Sequence, residues 1–331
     1  MRAGAQTITL LGTPRTILVL QSLAEGTKGS FELRRDAGSP AQSTMRSHLR
    51  GLGATGVIAR RRRDSFPGAL EYILTDSGRE LLIVADSLEQ WLAGSPQGSL
   101  ELGGDQARAA VKGLAESWIA NVLTALAMKP LSLTELDKQI SAASYPTIER
   151  CLENMRLADQ LEVGTRGRSG TPHAITDWLR RGVVPLALAA RWEHSYGSDG
   201  ADPVDHADFD GAFRLVGPLF SMSRLLSGSC QMELKIPHDD SNTQEHFSEV
   251  IEVTNGALSF DGFYPGIEPD VRASGSIDAW FSTMIDGDMN TLKLKGDRDL
   301  AKAVLGGLHR SLFKGVANKT PAHSSRSSLT S

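Results

Sequence analysis

The 331-residue sequence predicts a multidomain protein in which two mainly α-helical domains precede one α+β domain. Three observations predict this division. Apolar positions of the first 92 residues recur about a hundred residues later, two stretches without apolar periodicity separate the parts, and the charge changes along the chain. Residues 1–92 hold 12 Lys and Arg against 9 Asp and Glu, whereas residues 198–331 hold 12 against 19. This asymmetry indicates different partners for the two ends.

The recurrence is a shift of 103 residues, which becomes 101 beyond the arginine run at 60–63. It aligns apolar positions throughout, and chance alignment of apolar heptads is the alternative. The matches that are more specific than apolar character are Thr75-Asp76 with Thr176-Asp177 and Trp91 with Trp192. The two residues are lost within a predicted hairpin, where a change of loop length costs little. We name residues 1–92 the first copy and residues 107–196 the second copy.

The elements of the first copy follow from apolar spacing and turn residues. The predicted order is a helix over 17–23, a short helix from 30, a helix from 41 to about 52, strands over 57–63 and 70–74, and a helix from 76 through 91. In the third of these helices Met45, Leu49 and Leu52 are spaced to face inward. Three helices followed by a two-stranded wing are the order of a winged helix-turn-helix domain.

The outward face of this third helix carries short polar side chains and guanidinium groups, which suit base edges and phosphates. Its candidate DNA-contacting residues are Gln42, Ser43, Thr44, Arg46, Ser47 and Arg50. The outgoing wing strand adds Arg60, Arg61, Arg62 and Arg63, of which alternate side chains point the same way. We expect two of these four to meet phosphate. A merely solvated face is the alternative.

The second copy has a weaker set of candidates. Its third helix offers Tyr145, Thr147 and Arg150, and its glycine-rich wing offers Arg166 and Arg168. The same helix carries two glutamates, which repel phosphate unless they accept from a cytosine amine. Either this copy binds a half-site weakly or it acts as a structural partner. The tandem order predicts a pseudo-dimer within one chain, with a homodimer as a further option.

The segments TPRTILVLQSL (13–23) and LTDSGREL (74–81) resemble the HxlR-type winged-helix transcriptional regulators. The resemblance covers residues 8–92 well and 115–193 more loosely. It implies binding to double-stranded DNA and a helix after the wing that supports dimerisation. Members often carry a cysteine before the first helix, but AGAQTITLLGTP (3–14) has none, so thiol sensing is not expected there.

The predicted boundaries follow two composition shifts. Glycine- and serine-rich residues 93–106 and residues 197–208 are expected to be linkers, and the polar tail 316–331 is expected to be disordered. Between them, 209–315 predicts an α+β domain with alternating strands, an Asn255-Gly256 hairpin turn and a closing helix.

The segment from Gly275 to Leu308 is similar to sterol-carrier-protein type-two domains, which hold an apolar ligand between sheet and helices. The predicted fold class is therefore two mainly-α winged helix-turn-helix domains followed by an α+β sterol-carrier-like domain. The resemblance implies a small hydrophobic effector. The candidate ligand-binding residues are Phe220, Trp280, Phe281, Met284 and Leu308, with plain core packing as the alternative.

No cofactor, metal site or enzymatic activity is expected. No glycine-rich phosphate loop follows a strand, and HDDSNTQEH (238–246) matches no usual metal spacing. Two distant cysteines and the absence of a long apolar run or a signal-peptide pattern predict a cytoplasmic protein without membrane contact. A ligand-responsive DNA-binding transcriptional regulator is the leading hypothesis. The alternatives are a hydrophobic-ligand carrier whose helical domains serve dimerisation, and an acyltransferase-like enzyme.

Overall fold

The computed structural model describes residues 2–62, 70–168, 170–197, 204–220, 223, 226–236, 245–260 and 268–313. The first copy contains five helices and three strands among these residues. They are α1 (Ala5–Leu11), α2 (Pro14–Ala24), β1 (Lys28–Gly29), α3 (Ser30–Asp36), α4 (Gln42–Ala54), β2 (Ile58–Arg62), β3 (Leu70–Leu74) and α5 (Asp76–Ala93). Helix α1 and the two-residue strand β1 were not predicted, whereas the remaining elements follow the predicted order.

Packing of the first copy places α4 against its own core with one face left to solvent. Met45, Leu49 and Leu52 are buried, as their spacing predicts. The wing strands pair antiparallel in the order β1-β3-β2. At the start of α5 the Thr75 hydroxyl accepts a hydrogen bond from the Gly78 amide. Position 78 accommodates only glycine, because a Cβ there would overlap the carbonyl oxygen of Val57.

The second copy has the same order of wing strands, β4-β6-β5. Its elements are α6 (Asp105–Ile119), α7 (Val122–Leu126), β4 (Leu131–Ser132), α8 (Leu133–Gln139), α9 (Tyr145–Leu157), β5 (Leu161–Val163), β6 (Pro172–Ile175), α10 (Asp177–Arg181) and α11 (Val183–Tyr196). Thr176 caps α10 by accepting from the Leu179 amide, as Thr75 does in the first copy. Where the first copy has the single helix α5, Gly182 separates α10 from α11.

The two copies meet along α5 and α11, and tryptophans tie the contact. The rings of Trp91 and Trp178 stack with centroids 4.7 Å apart. Each indole N–H donates to the other residue's backbone carbonyl, at 2.8 Å and 2.7 Å. Trp192 donates its indole N–H to the carbonyl of Ser77 at 2.8 Å. These buried donors are satisfied across the contact, which fixes one arrangement of α5 against α10 and α11.

The buried carboxylate of Glu193 on α11 holds the start of α1. It accepts hydrogen bonds from the Gly4 amide at 2.6 Å and from the Thr7 amide and hydroxyl at 2.8 Å each. The first-turn amides of a helix have no partner within the helix, so a carboxylate at this position satisfies them. Helix α1 is therefore capped by a residue of the second copy rather than by a neighbour in sequence.

The expected linker at 93–106 is packed rather than extended. Leu100 and Leu102 are buried, the Leu100 amide donates to the Leu92 carbonyl, and α6 begins at Asp105. These two leucines are the apolar positions that the glycine- and serine-rich composition concealed. The second expected linker also ends early, because Asp205 caps a helix from His206 by accepting from the Asp208 amide.

The C-terminal part is a five-stranded sheet with helices, in the order β11-β10-β7-β8-β9. Strand β10 runs parallel to β7, and the other pairs are antiparallel. Its elements are α12 (His206–Val216), β7 (Gly228–Ile236), β8 (Glu245–Thr254), β9 (Ala257–Ser259), β10 (Val271–Gly275), α13 (Ile277–Phe281), β11 (Lys293–Gly296) and α14 (Arg298–Phe313). A π-helical turn, Ser282–Asp286, follows α13. The helix expected from Phe209 towards Leu226 starts earlier and ends at Val216, where Gly217 and Pro218 follow.

Buried side chains from both copies and from the C-terminal part belong to one contiguous core. The division into separately folding domains stays a prediction. Within the part of the chain that the structure describes, every helix is too short or too polar to cross a lipid bilayer.

Candidate nucleic-acid interface

Helix α4 presents one polar face to solvent. All six predicted residues on this face are exposed: Gln42, Ser43, Thr44, Arg46, Ser47 and Arg50. The burial of Met45, Leu49 and Leu52 turns that face outward. Among the described residues neither Arg46 nor Arg50 forms an ion pair, so both guanidinium groups keep their donors for an external acceptor.

The charge of α4 comes from these two arginines alone. His48 lies between the buried and exposed faces, and burial and Arg15 lower its pKa. Both effects favour the neutral form of its ring. No acidic residue occurs in α4, whereas α9 of the second copy holds two arginines and two glutamates. A polyanion is thus attracted to α4 more strongly than to α9.

Three of the four wing arginines lie on β2 and are exposed. Arg60 and Arg62 share the strand face of Ile58, and Arg61 points to the other face, opposite Glu71 in the register. The structure thus brings two of the described wing arginines to one face, and no ion pair within the described ranges holds them. Arg63 lies outside the described residues.

The predicted DNA-contacting residues of the second copy are not all exposed to solvent. Tyr145 and Arg150 are exposed on α9. Thr147 is half-buried, and its hydroxyl lies 2.9 Å from that of Ser144. In the second wing Arg166 and Arg168 are exposed beyond the three-residue strand β5. Their roles stay predictions, as do those of the first-copy residues.

The predicted ligand residues separate into two groups. Trp280, Phe281 and Met284 line an apolar cavity of about 90 Å³ between the second copy and the C-terminal part. Phe220 packs against the backbone of Gly307, where a Cβ would overlap its ring, and Leu308 is fully buried on α14. Neither of these two lines the cavity, because they fill the space between α14 and its neighbours.

Among the residues that the structure describes, Asp208 is the one ionisable residue that lines this cavity, and the sequence gives no signal of that role. Its carboxylate lies 3.3 Å from the Arg2 guanidinium, which stacks 5.0 Å from the Trp118 ring centroid. Burial raises the pKa of Asp208 to about 6, with Asp205 adding to the rise and Arg2 opposing it. The pattern Asp205-x-x-Asp208 marks a helix start, but the partner Arg2 is too distant in sequence to infer.

Asp208→Asn is expected to remove a pH-dependent part of the stability. The pKa of Asp208 is higher in the folded chain than its ordinary value, so its contribution is full below about pH 4 and is lost as the pH rises through 6. The free energy of unfolding of the wild type minus that of the variant should therefore fall by about 1–3 kcal/mol between pH 4 and pH 7. Urea unfolding at several pH values measures it. Asp210→Asn on the same helix is the control, and a pH-independent difference for Asp208→Asn contradicts the assignment.

The cysteines have no reactive setting. Cys151 and Cys230 are buried as free thiols, and burial raises the pKa of both, that of Cys230 to about 12. Among the residues that the structure describes, no three His, Cys, Asp or Glu side chains are grouped to hold a metal ion. Residues 238–244 of the predicted loop 238–246 lie outside those residues.

The folded first copy and the exposed face of α4 define a winged helix-turn-helix protein. The profile of the HxlR-like helix-turn-helix family matches residues 10–97. An uncharacterized HTH-type transcriptional regulator of Halalkalibacterium halodurans is 33% identical over 86 residues, which are 26% of this chain and 76% of that protein. The uncharacterized HTH-type transcriptional regulator YkvN of Bacillus subtilis is 34% identical over 74 residues, 22% of this chain and 63% of that protein. The chain belongs to the HxlR-like helix-turn-helix family.

Proposed function

We propose that the chain is a DNA-binding transcriptional regulator. The observation that carries the proposal is the exposed, acid-free face of α4 with the guanidinium groups of Arg46 and Arg50. In winged helix-turn-helix proteins this helix enters the major groove and the wing contacts the backbone or the minor groove. The family match and the two similar regulators support the same conclusion for this part of the chain.

We further propose that the two copies form a pseudo-dimer within the chain. Under the shift of 101 residues, Trp91 of the first copy corresponds to Trp192 of the second copy, and Ser77 corresponds to Trp178. The hydrogen bond from Trp91 to the Trp178 carbonyl is thereby related to the bond from Trp192 to the Ser77 carbonyl. Such reciprocal contacts are those of a two-fold interface. In this arrangement α4 and α9 address half-sites about one helical turn apart.

In this proposal the first copy makes most of the contacts with DNA, and the second copy serves mainly as its structural partner. Helix α4 carries two arginines without acidic residues, whereas Arg150 on α9 is flanked by Glu149 and is followed one turn later by Glu153. Carboxylates beside phosphate are repulsive.

The C-terminal part is proposed to bind a small apolar effector. Carriage of a lipid-sized ligand is disfavoured at the described cavity, since about 90 Å³ is far below the roughly 300–1,000 Å³ of common ligand pockets.

Genomic footprinting of the full chain tests the regulatory function. Discrete protected sites are expected, and their shape should show one strong and one weak half-site. Binding to the recovered DNA should weaken steeply with salt, because phosphate contacts release counterions. Absence of enriched sites, together with salt-independent binding to random DNA, would overturn the proposal.

The double variant Arg60→Ala with Arg62→Ala is expected to flatten the salt dependence of DNA binding. Each lost phosphate contact lowers the slope of log affinity against log salt by about 0.9, so the pair should lower it by about 1.8. Affinity measured between roughly 50 mM and 200 mM salt gives the slope. Arg108→Ala on α6, where Arg108 pairs with Asp105, is the control and should leave the slope unchanged. Equal slopes for all three proteins would exclude the wing from the phosphate contacts.

A further inference from the structure

The apolar cavity lies at the junction of the second copy and the C-terminal part. Trp118 and Leu186 come from α6 and α11 of the second copy, whereas Phe209, Trp280 and Met284 come from α12, α13 and the π-helical turn of the C-terminal part. Phe220, which packs against Gly307 of α14, and the buried Leu308 are not part of the cavity lining. A bound ligand would contact both α11, which packs against α5 of the first copy, and the C-terminal helices.

The polar groups around the cavity already have partners. The indole N–H of Trp118 donates to the Ala3 carbonyl at 3.3 Å, and that of Trp280 donates to the Glu233 carbonyl at 3.0 Å. The Asp208 carboxylate accepts from Arg2 and from the Asp205 amide, each at 3.3 Å. A water needs two to four polar partners, so the remaining apolar surface favours an apolar occupant over water.

Aromatic rings set the shape of the cavity wall. Phe209 lies edge-to-face with Trp280 at a centroid distance of 4.9 Å and with Phe213 at 4.7 Å. Phe213 lies edge-to-face with Trp280 at 5.9 Å. This geometry is the one that aromatic rings adopt with one another, and a further ring in the cavity can extend it.

The volume limits the size of the occupant. A buried cavity of about 150 Å³ with an apolar lining is known to bind benzene, and this one measures about 90 Å³. The missing space is available at the half-buried side chains of Phe281 and Met284, because methionine is unbranched and flexible. One ring thus needs only a small shift of these side chains, whereas two fused rings need a larger one.

We propose that this cavity binds an uncharged molecule with a single aromatic ring. The inference rests on the proposed function only for its consequence, which is a change in DNA affinity. Helix α11 lines the cavity and packs on α5, which directly follows the wing of the first copy. A ligand alters DNA binding if it binds the DNA-competent and incompetent arrangements unequally.

Binding is tested on the full chain without DNA, with toluene as the probe and benzoate and benzylamine as its charged counterparts. Toluene is expected to raise the midpoint of thermal unfolding in a saturable way, because it binds the folded chain alone. The two charged molecules should raise it at least tenfold less at equal concentration. A toluene effect that does not saturate, or equal effects of the three molecules, would overturn the proposal.

The variant Met284→Ala locates the site. It should admit naphthalene, whose effect on the unfolding midpoint is expected to appear in this variant and to be absent from the wild type. Met289→Ala is the matched control, since Met289 is also half-buried in the C-terminal part but does not line the cavity. Identical naphthalene responses of the two variants would place toluene elsewhere. A chain that binds toluene but no DNA would refute the proposed function and leave the site standing.

Discussion

Replacing Arg46 and Arg50 together with alanine is expected to weaken binding of the chain's operator DNA by at least about 30-fold. Each contact of a guanidinium group with a base edge is worth roughly 1–3 kcal/mol, and both side chains are exposed on α4 without an ion pair among the described residues. The free energy of unfolding should change by less than about 0.5 kcal/mol per substitution, because neither side chain is buried.

The matched control is the double variant Arg150→Ala with Arg156→Ala in α9. It removes the same charge from the corresponding helix of the second copy, whose glutamates Glu149 and Glu153 remain. We expect a loss of less than tenfold for it, measured by fluorescence anisotropy at one fixed salt concentration. Equal losses for the two double variants would contradict the assignment of α4 as the main reader, and unchanged affinity for both would remove the interface altogether.

Glu193→Ala is expected to lower the free energy of unfolding by about 3 kcal/mol or more. The substitution leaves the Gly4 amide and the Thr7 amide and hydroxyl without their acceptor, and an unsatisfied buried donor costs roughly 1–3 kcal/mol. It also leaves a cavity where the side chain stood. Urea unfolding at pH 7 measures the loss.

Glu193→Gln separates the hydrogen bonds from the volume of the side chain. Glutamine has nearly the same shape but a single acceptor oxygen, so it should lose about half as much stability as alanine. If both variants lose equal amounts, the effect comes from charge rather than from satisfied donors. If neither loses more than about 0.5 kcal/mol, Glu193 does not hold α1.

The sequence predicted those parts of the fold whose pattern is local. The face of α4 follows from the spacing of Met45, Leu49 and Leu52, and the wing follows from its alternation and its turn. Helix α1 escaped prediction because it is seven residues long and its cap, Glu193, lies 186 residues away in sequence. The sequence predicts a linker at Leu100 and Leu102 because two leucines among glycines and serines are too few to show a helical or strand period.

The two candidate sites, the exposed face of α4 and the apolar cavity, also differ in how far the sequence predicts them. An exposed helix face is visible in sequence, since it is the complement of the buried positions. A cavity is not visible, because its walls come from elements far apart along the chain, such as Trp118 and Trp280. Phe220 and Leu308 were apolar at the right helix or loop positions, yet other elements cover them. An apolar pattern tells which side is buried but not what buries it.

The tryptophan hydrogen bonds join α5 to α10 and α11 within one polypeptide, and this has a consequence for the proposed control of genes. A DNA-binding dimer assembled from separate subunits dissociates when the concentration of the protein in the cell is low. In the proposed pseudo-dimer both DNA-binding units belong to one polypeptide, so the local concentration of one near the other does not depend on the amount of protein in the cell. Under the same proposal each unit can also mutate alone, which permits recognition of operators whose two halves have unrelated base sequences.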